Sequence, residues 1–221
     1  MKSSFPLSTG GDDVVVLVDP GDEALGVASK LEAHREGRLH RAVSVVLFDD
    51  HGRLLLQRRA DDKYHSGGLW SNTACGHPRP GESVPDAAKR RLRDELGIQG
   101  CELTPVDHFV YFAKLEGGLV EHELDHVVVG RWNGAATPDP LEVSETRWIE
   151  QDRLLEELAE SPARYTAWFQ SVVYHACRSQ GQLAVGAPDA SRITMGQQPS
   201  PPGISQWRAL NDRVDENEGN G

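Results

Sequence analysis

The sequence predicts a mixed α/β (α+β) fold in which helices pack on one β-sheet, and three observations carry that expectation. Strand-length runs of β-branched and apolar residues, punctuated by turn residues, occupy the first 60 positions and return between 106 and 132. A stretch of helix formers with a cap signal at each end lies between them. Two further helical stretches follow, so strands dominate the middle and helices gather after it, the pattern of a sheet covered by helices. The 221 residues suffice for one ordinary domain.

Residues 14–19 (VVVLVD) form a β-branched run halted by Pro20-Gly21-Asp22, which predicts a strand and a turn. Residues 41–49 and 53–58 flank Asp50-His51-Gly52 and read as a hairpin, with Gly52 supplying a positive φ. Ser83 can cap a helix over 85–96, with Pro85 in the tolerated first turn and Gly97 in the left-handed position that ends it. Residues 106–115 and 119–132 predict a second hairpin about Gly117-Gly118, and 147–149 a short strand. An amphipathic helix is expected over 152–160, and Ser161-Pro162 open a longer one reaching about Arg178. From 181 the composition turns to Gly, Pro, Gln, Asn and Ser, which predicts a disordered tail over 181–221, a folded domain over 12–180 and a flexible N-terminus over 1–11.

Thirty-four acidic against 23 basic residues give a net charge of −11, which repels polyphosphate backbones and disfavours nucleic acid as a partner. No apolar run approaches the roughly 20 residues of a membrane span, and the N-terminus lacks a signal-peptide pattern, so no membrane role is expected and the cytoplasm is the expected location. The three cysteines, Cys75, Cys101 and Cys177, are too widely spaced for a disulfide framework or a zinc knuckle.

Chemistry concentrates in residues 68–98, where a loop runs straight into the capped helix. Gly76, Glu82, Arg90, Leu92, Glu95, Gly97 and Ile98 fall on the spacing of a Nudix box, and the segment resembles that family. Such a loop and helix place carboxylates where they can hold Mg²⁺ against a diphosphate. Two positions depart from the pattern: Arg91 stands where an acidic residue belongs, and Asp94 replaces the first of a paired Glu. Arg91 removes a ligand charge and adds a phosphate-binding cation, which favours diphosphate binding over diphosphate hydrolysis.

The preceding loop, Trp70-Ser71-Asn72-Thr73-Ala74-Cys75-Gly76-His77-Pro78, sharpens the likeness. With Tyr111, Glu121-His122-Glu123 and the upstream His34 and His40, the chain resembles the type I isopentenyl diphosphate isomerases over roughly residues 12–180. The resemblance implies a Nudix-like mixed β-sheet sandwiched between helices. It also implies an isomerase of isoprenoid biosynthesis that interconverts isopentenyl and dimethylallyl diphosphate. Moving that double bond protonates an alkene on one side and removes a proton on the other, so two opposed acid/base groups are needed. By resemblance these are Cys75 and Glu123, with Tyr111 assisting; Glu123 and Tyr111 deliver the proton and Cys75 removes one. Cys101 and Cys177 are left structural.

Glu121 and Glu123, two apart on a predicted strand, point to one face and can share a metal. With His34, His40 and His77 they make a nitrogen and oxygen set suited to Mn²⁺ or Mg²⁺, with Zn²⁺ also possible. The resemblance adds a Mg²⁺ carried with the substrate diphosphate and partnered by Glu95, and implies no organic cofactor. It assigns Lys30, Arg59, Lys63 and Arg91 to the diphosphate, Gly76 to close backbone approach, and the Trp168 ring, on the last helix, to stabilising a cation. His51, His65, His108, His126 and His175 match no role and are expected at the surface or in structural places. Ser66-Gly67 stands where some relatives have Trp-Pro, so a looser pocket wall is expected, with Trp70 helping to exclude water. The expected partner is a small isoprenoid diphosphate bound by a monomer or weak homodimer. Two other readings stay open: a Nudix pyrophosphohydrolase, which the box spacing supports, and an inactive diphosphate- or metal-binding module.

Overall fold

The computed structural model describes residues 13–181, so the N-terminus expected to be flexible over 1–11 and the expected tail beyond 181 lie outside the described residues. The elements run β1 (Val14–Val18), β2 (Ala24–Ser29), α1 (Lys30–Glu36), β3 (His40–Phe48), β4 (Leu54–Arg59), β5 (Trp70–Ser71), β6 (Ala74–Gly76), α2 (Val84–Leu96), β7 (Leu103–Lys114), β8 (Val120–Arg131), β9 (Val143–Ile149), α3 (Gln151–Glu160) and α4 (Phe169–Gly181).

β3 is the spine of a mixed sheet. One of its edges pairs in parallel with β8 along its whole length, from His40↔Glu123 to Phe48↔Arg131. The other edge is shared in succession by β1 at His40, β6 at residues 43–45 and β4 at Phe48, all antiparallel. A strand paired on both edges and covered on both faces is apolar where helices cover it, as residues 45–48 (VVLF) of β3 are, all fully buried.

Alternation along β3 sorts the two layers. Val43, Val45 and Leu47 pack with Ala87, Ala88, Leu92 and Leu96 of α2. Val46 and Phe48 pack on the opposite face with Leu154 and Leu158 of α3 and Phe169, Val172 and Val173 of α4. The sheet is thus sandwiched between helices, as the resemblance implied. α2 starts and stops where its caps dictate: Ser83 Oγ accepts from the Asp86 backbone N–H, and Gly97 takes φ 65° with its N–H on the Arg93 carbonyl.

Three expectations need correction. The first hairpin keeps its turn, in which Asp49 Oδ1 accepts from the N–H groups of His51 and Arg53, but β3 and β4 pair only at Phe48↔Leu54. β4 is drawn away by β9, which it follows from Leu54 to Arg59, and by β5. The long helix expected from Ser161 does not start there. Pro162–Arg164 form one 3₁₀ turn, Tyr165 bridges to Trp70, and the Thr166 N–H donates to the Trp70 carbonyl at 2.9 Å, so α4 begins at Phe169 and Trp168 precedes it. Finally, β2, α1, β5 and β6 are short elements that the sequence reading above did not place.

The α3 layer is fastened by one buried carboxylate. Arg147 on β9 donates to both oxygens of Glu157, at 3.3 and 2.8 Å, and the Tyr165 hydroxyl donates to Oε2 at 2.9 Å. The Arg147 hydrogen bond holds the Glu157 carboxyl below its ordinary 4.5. A carboxyl whose folded pKa is depressed stabilises the fold above its unfolded value and loses that contribution as pH falls through the folded one. Glu157→Gln is therefore expected to cost about 1–3 kcal/mol near neutral pH, and the gap from the wild type to shrink below pH 4.5, in urea unfolding followed by circular dichroism at several pH values.

Candidate active site

The site forms where the α4 layer runs out. On the face of β3 that carries Phe48 and Val46, the next alternate positions are Ser44, Ala42 and His40. On β8 the same face passes from Val127 to Asp125, Glu123 and Glu121, and on β7 from Phe109 to Tyr111, which pairs with Glu123. Each strand thus exchanges apolar for polar residues at the same level, and the parallel register of β3 and β8 sets His40 beside Glu123. β6 brings Cys75 against Ser44, and α1 supplies His34. Cys75, His77, Tyr111, Glu121, Glu123 and Trp168 line one cavity of about 280 Å³, together with Lys30, Arg59, Lys63, Gly76 and Arg91. Of the predicted site residues, only His34, His40 and Glu95 stand behind this lining; the two histidines are fully buried.

Four imidazoles meet two carboxylates at one end. His34 Nδ1 lies 2.7 Å from the Lys30 carbonyl and His40 Nδ1 lies 2.8 Å from the Arg38 carbonyl. A carbonyl only accepts, so each Nδ1 carries a hydrogen and Nε2 is the atom that each ring turns to the cluster. His40 Nε2 and His77 Nε2 approach Glu123 Oε1 at 3.4 and 2.8 Å, and the Tyr111 hydroxyl donates to Glu123 Oε2 at 2.6 Å. Glu121 Oε2 lies 3.3 Å from His34 Nε2 and 3.4 Å from the Tyr111 hydroxyl, while its Oε1 lies 3.4 Å from His65 Nε2. His65 was expected at the surface or in a structural place; the structure puts it inside the cluster.

Burial and mutual charge set the protonation states. Burial opposes the charge on Glu123, but the facing imidazoles of His40 and His77 outweigh it and hold the carboxyl well below the usual range. Glu121 moves the other way, raised by burial and by the neighbouring Glu123 charge. Burial brings His77 and His65 down to about 3, so both rings are neutral, and it pushes Tyr111 well up.

The donor set fits a divalent ion. His34 Nε2 and His40 Nε2 are buried without a hydrogen-bond partner, an expensive arrangement for unsatisfied nitrogens. The ligand atoms of His34, His40, His77 and Glu123 all lie within 4.8 Å of one another, as do those of His34, His65 and Glu121. Imidazole nitrogens with carboxylate oxygens suit first-row divalent metals.

Cations gather at the other end. Arg59 turns inward, its Nη1 3.9 Å from Cys75 Sγ and its guanidinium 5.6 Å from the Trp168 ring, whereas Arg58 turns outward to Gly68 and Asp61. Arg91 donates to Glu95 Oε1, to the Cys75 carbonyl and to Glu142, which also pairs with Lys63. Glu142 escaped the sequence reading because it lies in a loop with no motif; only the fold brings it to these cations. Gly76 is needed for Arg91 itself, since an added Cβ would meet its Cδ and Nε at 2.9 Å. Burial pushes the Cys75 thiol up to about 12, with Glu95 acting the same way and Arg59 and Arg91 opposing. The Trp168 indole N–H donates to Asn72 Oδ1 at 3.2 Å, which fixes the ring beside the cavity. Trp70, expected to exclude water, instead packs in the core with Arg147 over its ring; Tyr64 and His65 form the wall.

The box residues do not assemble a hydrolytic cluster. Glu82 is held by Arg90 on both oxygens, Asp94 pairs with Arg93, and both Glu95 oxygens already accept, from Arg91, the Cys75 N–H and Gln57.

The NUDIX domain family matches residues 38–169. The chain is 52% identical over 165 residues to the Isopentenyl-diphosphate Delta-isomerase of Burkholderia multivorans, which covers 75% of this chain and 93% of that protein. It is 46% identical over 187 residues to Isopentenyl-diphosphate Delta-isomerase 2 of Aromatoleum aromaticum, covering 83% and 98%. Among solved structures, DR0079 from Deinococcus radiodurans superposes with a TM-score of 0.62 at 22% identity, over 73% of this chain and 98% of that one, a likeness of fold.

Removing one nitrogen should release the ion. His40→Ala is expected to weaken divalent-metal binding by about 10–100-fold or more, read by elemental analysis after equilibrium dialysis against Mn²⁺.

Proposed function

The chain belongs to the NUDIX domain family and, within it, to the isopentenyl-diphosphate Delta-isomerases, and from that membership we infer how its own residues interconvert isopentenyl and dimethylallyl diphosphate. The observation that carries the mechanism is the cavity itself, where a thiol and a carboxyl–phenol pair share one small space with a group of cations. Tyr111 and Glu123 form one unit at 2.6 Å, and we assign to it delivery of a proton to the terminal alkene carbon. Cys75 then removes a proton from the carbon beside the CH₂–O group, which completes the allylic shift without releasing phosphate. Arg59, 3.9 Å from Cys75 Sγ, stabilises the thiolate form that this step requires. Trp168 lines the same cavity, and we assign to its ring the steadying of positive charge on the central carbon, an attraction worth about 2 kcal/mol when desolvated.

His34, His40, His77, Glu121 and Glu123 would hold the resident ion, Mn²⁺ or Mg²⁺ in our reading and Zn²⁺ as a further candidate. Its positive charge would fix the geometry of the two carboxylates and bias Glu123 between its protonation states. At the other end Lys30, Arg59, Lys63 and Arg91 bind the diphosphate, which takes over the contacts that Glu142 makes with Lys63 and Arg91. Glu95 would be the residue that partners a Mg²⁺ carried by the substrate, which would supply positive charge against the diphosphate. Gly76 leaves room for Arg91 and for the phosphate beside it. We place the enzyme in isoprenoid biosynthesis in the cytoplasm, acting as a monomer or weak homodimer without an organic cofactor.

Hydrolysis lacks support in the geometry, because Glu82 and Asp94 are engaged by Arg90 and Arg93 and Arg91 occupies an acidic position of the box. Proton NMR of isopentenyl diphosphate with the protein, Mg²⁺ and Mn²⁺ in D₂O is expected to show dimethylallyl signals, deuterium incorporation and no free phosphate. Phosphate release without isomerisation would overturn the assignment. In the same assay Cys75→Ala and Glu123→Gln should each lower kcat by about 10²–10⁴-fold, Cys75→Ala with its metal retained and Glu123→Gln with its metal affinity reduced.

A further inference from the structure

We propose that His65 is a positioning residue for Glu121, its Nε2–H donating to Glu121 Oε1 so that Oε2 is turned toward His34. This rests on the reading of the cluster as a divalent-cation site. The two oxygens of Glu121 face different partners: Oε2 lies 3.3 Å from His34 Nε2 and Oε1 lies 3.4 Å from His65 Nε2. His34 has a single lone pair to offer, because its Nδ1–H is taken by the Lys30 carbonyl. One lone pair holds one cation, so the group formed by His34, His65 and Glu121 is an extension of the centre built on His40, His77 and Glu123. A carboxylate that ligates through one oxygen leaves the other free to rotate, and an outer donor is what fixes it.

The surroundings of His65 are built for that task. The Ser66 hydroxyl lies 3.2 Å from Nδ1, where it can donate and leave the ring hydrogen on Nε2. The ring is stacked with His34 at 5.8 Å between centroids and meets Trp168 edge-on at 6.1 Å, with its side chain only 7% exposed. The backbone is aimed as well. Ser66 takes φ 52°, a Cβ on Gly67 would lie 2.3 Å from the Asp61 carbonyl oxygen, and Arg59 donates to the His65 carbonyl at 3.4 Å. Ser66-Gly67, which looked like a gap in the pocket wall, is the tight reversal that drives the imidazole inward.

The test is Mn²⁺ binding to the full-length protein, followed by electron paramagnetic resonance, with melting in chelator to establish folding of each variant. His65→Phe keeps the ring against Trp168 but cannot donate; His65→Gln places an amide N–H where Nε2–H stood. The Phe variant is expected to bind Mn²⁺ about 10–100-fold more weakly than the wild type, and the Gln variant to recover most of that loss with the wild-type spectrum. Wild-type affinity in the Phe variant overturns the proposal. So does a Gln variant as weak as Phe with an altered spectrum, which would make the His65 nitrogen a ligand. If the Phe variant does not fold, Ser66→Gly decides, since it relieves the positive φ while removing the hydroxyl: weaker Mn²⁺ binding supports the proposal and unchanged binding overturns it. No Mn²⁺ binding by the wild type overturns the cation site together with this role.

Discussion

The parallel pairing of β3 with β8 is the constraint on which the rest of the molecule depends. It joins segments about 80 residues apart, as the buried Ser44–Asp125 hydrogen bond across 81 positions shows. Side chains alternate along a strand, so slipping β8 by one residue would turn Glu121, Glu123 and Asp125 to the opposite face, where Leu124 now packs with Val16, Val18, Leu39 and Val110. Unpaired carboxylates there would cost several kcal/mol each. The register that builds the sheet and the register that assembles the cluster are therefore the same requirement.

Within the cavity, charge is divided along one axis. Imidazoles gather about Glu121 and Glu123 where β8 meets α1, Lys63 and Arg91 gather about Glu142, and Arg59 lies beside the Cys75 sulfur. Arg59 links the parts: one side chain reaches the sulfur, the carbonyl of His65 and the ring of Trp168. A substrate with a charged head and an apolar tail meets this division end on. Glu142 and Glu95 keep Lys63 and Arg91 paired before the head arrives, so binding exchanges these ion pairs for phosphate contacts.

Much of this was legible in the chain. The caps of α2, Ser83 and Gly97, are local chemistry, and the structure uses both. The loop from Trp70 to Pro78 and the pair Glu121 and Glu123 carry their chemistry in short spacings, and the fold brings them to one cavity. What escaped was set by tertiary competition. The hairpin partners of β3 and β4 separated because β9 offered β4 a longer ladder. The helix expected from Ser161 lost its first turns to a hydrogen bond with Trp70. α1 did have a local signal, Ser29 followed three residues later by Glu32, with Ser29 Oγ accepting from the Glu32 N–H. His65 had none beyond the glycines after it, because a loop histidine becomes part of a cluster only when four other segments fold around it.

The raised pKa of Cys75 reaches beyond turnover. Peroxides and soft electrophiles react with thiolates, and a thiol held at about 12 offers almost none at neutral pH. The raised pKa thus slows oxidation of a free, half-buried thiol that lines an open cavity. An inhibitor designed to capture Cys75 covalently could not rely on the spontaneous reactivity of an ordinary surface cysteine. It would have to arrive as a diphosphate mimic, held beside Cys75 by the cations that line the same cavity.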